Sequence, residues 1–189
     1  MGRPARQRFD FAEYVMLEEI ACVKHEYLDG VVWAMAGGSP EHARLQVNVS
    51  TLLSQQLMAR PCAVYSSDLR VRVQATGLGT YPDITVVCGN LAFDPDDPKR
   101  QTVINPSLVV EVLSPSTQDY DRGEKLEHFK QIESLREIVL VSHEEPLVEV
   151  WTRDGGVWTV RAYRDDDAAR IPALGCELPL RAVYRDPLR

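Results

Sequence analysis

The run Leu108-Val109-Val110-Glu111-Val112-Leu113 constrains this chain more than any other segment. Its apolar residues are continuous rather than alternating, the pattern of a central strand covered on both faces. Glu111 interrupts it. An ionised carboxylate in such surroundings is costly unless it is paired or binds a metal. Ser114-Pro115-Ser116-Thr117 stops the run, Asp119 to Ser134 reads as a helix, and Glu137 to Val141 reads as a second strand. Strand, helix and strand in that order predict a βαβ crossover.

The rest of the chain supplies the layers around this unit. Asp10 to His25 carries apolar residues at helical spacing, with Asp10 as N-cap and Glu13 completing a capping box. Leu28-Asp29-Gly30-Val31 predicts a hairpin turn. Ser39 caps a helix with Pro40 at its first position, running to about Ala59. Ala63 to Val73 reads as a strand broken at Ser66-Ser67-Asp68, and Leu69 to Val73 alternates as a half-solvated strand does. Ile84 to Val87 is a short strand, and Asn90 to Asn105 a polar loop. Leu147 to Trp151 and Val157 to Tyr163 form a hairpin around Asp154-Gly155-Gly156, and the proline-bearing C-terminal stretch reads as irregular. The expected fold class is α/β or α+β, a mixed central sheet flanked by helices with additional antiparallel hairpins. The expected organisation is a loose segment over 1–9 and one domain over 10–189.

Composition narrows the function classes. Lys and Arg total 21 against 28 Asp and Glu, a net charge of −7. A protein that coats nucleic acid through a basic surface is disfavoured, whereas carboxylates that hold metal ions are compatible with this balance. No run approaches the roughly 20 apolar residues of a membrane span, and none follows the N-terminal arginines as in a secretory signal. The expected location is cytoplasmic, without membrane association. Cys22, Cys62, Cys88 and Cys176 form no CxxC or Cys/His cluster, so the reading is reduced, mostly buried thiols and no zinc site.

Pro82-Asp83 stands immediately before an apolar strand, Glu111 lies inside the buried one, and Lys125 is on the helix that follows. Two carboxylates and a lysine on neighbouring elements suit Mg²⁺ and an activated water. "YPDITVV", "LVVEVLSPST" and "DYDRGEKLEHFK" resemble the Uma-two family of restriction endonuclease-like proteins, within the PD-(D/E)xK nuclease superfamily. "HEYLDGVVWAM", "GSPEHARLQVNV" and "YSSDLRVRV" extend the resemblance from about Asp10 to Trp151.

The resemblance implies a restriction endonuclease-like fold and a metal-dependent endonuclease acting on phosphodiester bonds, with DNA as the expected partner. It implies that Asp83, Glu111 and the carbonyl of Val112 hold Mg²⁺ or Mn²⁺, and that Glu26 joins the acidic cluster. The superfamily lysine position is occupied here by Leu113, and Lys125 matches the lysine this family brings from the next helix. That lysine would orient or help deprotonate the attacking water, or balance charge on the phosphate. Asp121, one turn earlier, would face the same way. The family commonly has a tyrosine one turn after the lysine, where this chain has Phe129; Ile138, Val139 and Ser142 also depart from its pattern. By analogy, a homodimer suits an enzyme that cuts two strands.

Plainer readings stand beside these. Asp83 suits a turn, and Glu111 a buried salt bridge with Arg70, Arg72 or Lys125. Lys125 suits a solvated helix residue paired with Asp121, and Glu26 an exposed position beside His25. His42 belongs to a first helical turn, from which it could approach a phosphate. Ser114, Ser116 and Thr117 suit helix capping before phosphate contact. Arg70 and Arg72 suit a solvated face, and Trp33, Trp151 and Trp158 suit packing. The competing function readings are a non-catalytic nucleic-acid or protein binder on a nuclease-like scaffold and a hydrolase of another phosphate ester.

Overall fold

The structure, a computed structural model, describes residues 8–35, 37–115 and 117–188. The expectations for residues 1–7 and for Ser116 lie outside the described residues.

Two sheets and a small hairpin share the core. The larger sheet has strand order β11-β10-β9-β8-β6-β3: β3 (Cys62–Ser66), β6 (Ile84–Cys88), β8 (Leu108–Leu113), β9 (Glu137–Ser142), β10 (Leu147–Asp154) and β11 (Val157–Arg164). β8 and β9 run parallel in the register Leu108↔Glu137 to Leu113↔Ser142, as the crossover requires, and every residue of both strands is buried. The smaller sheet is ordered β2-β1-β5-β4-β7, from β1 (His25–Leu28), β2 (Val31–Ala34), β4 (Arg70–Val73), β5 (Leu78–Thr80) and β7 (Thr102–Val103). β12 (Ala168–Ile171) and β13 (Cys176–Pro179) pair separately.

Period-2 alternation sorts the central strands between two cores. Leu108, Val110 and Val112 join Leu45, Val49, Leu53 and Leu57 of α2 (Pro40–Leu57), together with residues of β12, β13 and α5 (Leu180–Val183). Val109 and Leu113 face the other way, into a core with Val71, Val73 and Leu78 of the small sheet and with Leu126 and Phe129. Glu111 alternates with Val109 and Leu113, so it shares that second face. Among the described residues no helix is long and apolar enough to cross a membrane.

The capping box at Asp10 and the Ser39–Pro40 helix start form as expected. α1 (Phe11–Glu18) stops well before His25, because Glu18 turns back to accept from the His25 N–H (3.2 Å), meet its ring (2.7 Å) and receive the Tyr81 hydroxyl. Phe9 is not loose: its N–H donates to Gly30 O at 3.0 Å. The segment Ala63 to Val73 is two strands in different sheets, not one interrupted strand. Lys24 holds the crossover through Ser67 O and Asp68. The C-terminal stretch forms β12, β13 and α5 rather than an irregular tail. The helix expected to reach Ser134 ends at Phe129, where Arg153 takes over the carbonyls of Lys130 and Glu133.

Two expectations about side chains are overturned. Arg70 is buried, donating to Thr102 Oγ1 (2.7 Å), Tyr81 and Asp97, while Arg72 donates to Asp94 and Asp96 at 2.7 Å. This strand face is therefore covered by the 94–97 loop and is not a solvated or nucleic-acid-binding surface. Cys62 and Cys88 are disulfide-bonded, not reduced thiols. The antiparallel register of β3 on β6 sets them directly opposite, a pairing that sequence separation conceals. Cys22 and Cys176 are free.

Glu137, at the start of β9, is fully buried and accepts from the Ala173 N–H at 3.1 Å; its Oε2 has no hydrogen-bond partner. Burial raises its carboxyl from 4.5 to about 7, against the lowering pull of the Ala173 and Leu174 amides. Because the folded value lies above the unfolded one, stability declines as pH rises from about 4.5 to about 7 and is level beyond. Glu137→Gln is expected to remove this slope, on the order of 3 kcal/mol. Urea denaturation across that range checks it.

Candidate active site

Three carboxylates from three segments converge on one ammonium, and a fourth, Asp83, lines the same recess. Glu26 comes from β1, Asp83 from the residue before β6, and Glu111 from β8. Asp121 and Lys125 bound a π-helical turn (Asp121–Lys125) between α3 (Gln118–Tyr120) and α4 (Leu126–Phe129). Lys125 Nζ lies 2.8 Å from Glu111 Oε1, 3.1 Å from Glu26 Oε1 and 3.6 Å from Asp121 Oδ1. All four of these side chains are buried. The solvated reading of Lys125 and the exposed reading of Glu26 are thus corrected. The salt-bridge reading of Glu111 and its place in an acidic cluster prove to be one arrangement.

Asp83 is half-buried and held from three sides: by the Val112 N–H at 2.7 Å, by the Gln46 amide, and by His42 Nε2 at 3.1 Å. His42 is therefore more than a helix-start residue, and it also meets the Val112 backbone. Its position depends on Gly38, where a Cβ would stand 2.8 Å from the imidazole. Gln46, one turn beyond His42 on α2, had no motif to mark it; only the position of α2 over β6 reveals it. Ser114 bonds Thr117 through its hydroxyl (2.9 Å), and its carbonyl receives the amides of Thr117 and Gln118 at the start of α3. Phe129 is buried with its ring 5.8 Å from Lys125 Nζ, so this position contributes an apolar wall.

The charges follow from this crowding. Burial pushes Glu111 well above the usual carboxylate range; the Lys125 charge opposes this, and Asp83 and Asp121 reinforce it. Burial alone would lower Lys125, but Glu111, Glu26 and Asp121 outweigh it and hold the ammonium well above its ordinary value. Asp121 is also raised, first by burial and against the pull of Lys125. His42 is raised, chiefly by its hydrogen bond to Asp83.

These residues line a recess of about 260 Å³ whose wall includes Trp33, Met35, Gly37, Val112, Thr117 and Tyr120. The available ligands are hard oxygens, and the excess of carboxylates over cations disfavours the ionised form of Glu111 until further positive charge arrives. Among the described residues no three His, Cys, Asp or Glu side chains form a ready coordination sphere. One or two carboxylates completed by a carbonyl and waters is the mode Mg²⁺ uses. The residues present fit that mode.

A family model described as "Uma2: Putative restriction endonuclease" matches residues 11–181. The chain belongs to the Uma2 family. This Uma2 chain is 37% identical over 175 residues to the uncharacterized protein slr1290 of Synechocystis sp., covering 92% of this chain and 90% of that one. It is 35% identical over 130 residues to the uncharacterized protein sll1609 of the same organism, covering 69% and 72%. Its fold matches the crystal structure of "a putative nuclease belonging to DUF820" from Anabaena variabilis, with a TM-score of 0.73 at 17% identity over 91% of this chain and 95% of that one. The restriction endonuclease-like fold class expected from the sequence is the one found.

Lys125→Met would strip the buried carboxylates of their shared counter-charge. The expected loss is about 3–5 kcal/mol at neutral pH. Carboxyls deprived of the ammonium hold protons to higher pH than in the unfolded chain, so the loss shrinks in acid and grows as pH rises. Chemical denaturation at acid and neutral pH measures both.

Proposed function

We propose that this Uma2-family protein is a metal-dependent endonuclease that hydrolyses phosphodiester bonds, with DNA as its substrate. The observation that carries the reading is Glu111. A carboxylate buried in a central strand stands beside Asp83, Asp121 and Glu26 at the floor of a recess, with Lys125 as its partner. A plain structural salt bridge needs one acid for one base; here the acids are in excess, as a cation-dependent site requires.

Asp83, Glu111 and the carbonyl of Val112 are the residues that would hold Mg²⁺ or Mn²⁺. Bound there, the ion supplies polarisation of a phosphoryl oxygen and a lowered pKa for a bound water. The chain's own residues do the rest. The Val112 N–H and Gln46 fix the Asp83 carboxylate so that it faces the recess. Lys125 keeps its proton, which favours charge balance on the phosphate and orientation of a water over proton abstraction. Glu26 and Asp121 hold the ammonium in place from two sides. His42, raised and bonded to Asp83, places a donor at the edge of the recess where a phosphate oxygen could be received.

The test is a cleavage assay on supercoiled, linear and single-stranded DNA and on RNA, with Mg²⁺, Mn²⁺ or EDTA. Glu111→Gln is nearly isosteric and is expected to cut at least about 100-fold more slowly than wild type, with its fold retained by circular dichroism. Asp83→Ala is expected to abolish millimolar-range Mn²⁺ binding by calorimetry. Wild-type cleavage by Glu111→Gln would sink the mechanism.

A further inference from the structure

The wall of the recess carries a half-buried aromatic side chain that belongs to none of the apolar clusters. In the β1–β2 hairpin Glu26 stands directly opposite Trp33, and Tyr27 opposite Val32. Directly opposed residues of an antiparallel pair share a face. Tyr27 and Val32 turn into the apolar cluster of Phe11, Tyr14 and Val15. Trp33 therefore turns with Glu26 to the other face, and it lines the recess. Trp151 and Trp158 pack against an apolar core; among the described residues Trp33 alone of the three tryptophans lies outside the apolar clusters. Trp33 thus sits half-buried at the recess and not in an apolar core.

Two further observations bear on what the recess accepts. The Tyr120 hydroxyl is buried in the same wall and has no hydrogen-bond partner. Among the described residues the cationic side chains lining the recess are Lys125 and His42, and both already face carboxylates. Beyond these two groups at the reacting phosphate, the walls offer little of the attraction by which proteins grip a duplex backbone along its length. Stacking on an aromatic face is the attraction that remains, and it accepts any base whose face is open. A base inside a duplex has no open face, and chemistry at the floor of a small recess requires the nucleotide to leave its stack.

We infer that the recess takes one unpaired nucleotide, with its base against the Trp33 indole, its phosphate toward the carboxylate floor and the Tyr120 hydroxyl donating to it. The substrate class is single-stranded or frayed nucleic acid rather than intact duplex. This rests on the nuclease reading above and deepens it.

The test is equilibrium binding, read by fluorescence anisotropy, with Ca²⁺ replacing Mg²⁺ so that hydrolysis does not intervene. The probes are a short labelled oligodeoxythymidylate, the same backbone with abasic tetrahydrofuran units, and a blunt duplex. Wild type is expected to bind oligodeoxythymidylate more tightly than either other probe. Trp33→Ala should weaken that binding by about tenfold and leave the abasic probe unaffected, while Trp33→Phe restores most of the loss. Unaltered thermal midpoints confirm that both variants fold. Equal binding of oligodeoxythymidylate by wild type and Trp33→Ala, or equal binding of duplex and single strand by wild type, would overturn the inference. If Trp33→Ala cuts duplex as wild type does while Glu111→Gln is inactive, the nuclease reading stands and this inference falls. If wild type neither binds nor cuts any nucleic acid, both fall.

Discussion

The buried ammonium of Lys125 is the point on which the architecture turns. It reaches Glu26 of the small sheet, Glu111 of the large sheet and Asp121 at the start of its own π turn. An isolated buried charge is very costly, so these elements are bound to one another by what would follow from separating them. The apolar core of Val71, Val109, Leu126 and Phe129 lies beside this cluster. Burial of that core supplies the favourable energy, and the ammonium determines which registers are acceptable.

The chain uses its charges in two separate ways. Around Arg70 and Arg72 three acids, Asp94, Asp96 and Asp97, pair with two guanidinium groups and fasten a loop across the small sheet. Around Lys125 three acids face one ammonium, and the larger imbalance opens into a recess. The same residue types thus serve adhesion in one place and a chemical site in the other, and the ratio of charges distinguishes them.

Legibility of the sequence followed the range of the interactions. The capping box, the Ser39–Pro40 start, the hairpin turns and the continuous run of β8 depend on neighbours in the chain, and each was readable there. Glu111 was readable because a lone carboxylate in an apolar strand is anomalous in any fold. Gln46 was not, because its meaning comes only from α2 lying over Asp83. Nor was the Cys62–Cys88 bond, which depends on the register of two strands, or the departure of β4 into a second sheet. Arg70 and Arg72 misled because alternating charge looks the same whether water or an acidic loop covers it. The proline-bearing C-terminus concealed a hairpin because its strands are short and their partner strand is each other.

The π turn has a consequence for how this protein can change over generations. It carries one residue more than an α-helical path between the same end points would hold, with Gly123 inside it. Removing one residue there would let the segment close to an α-helical path between the same end points, and Leu126 and Phe129 would keep their core. Adding one would rotate everything downstream by about 100° relative to what precedes it. The segment can therefore lose a residue more readily than gain one. Insertions belong in other parts of the chain, such as the hairpin tip at Gly155-Gly156, where nothing lies within reach of an added Cβ.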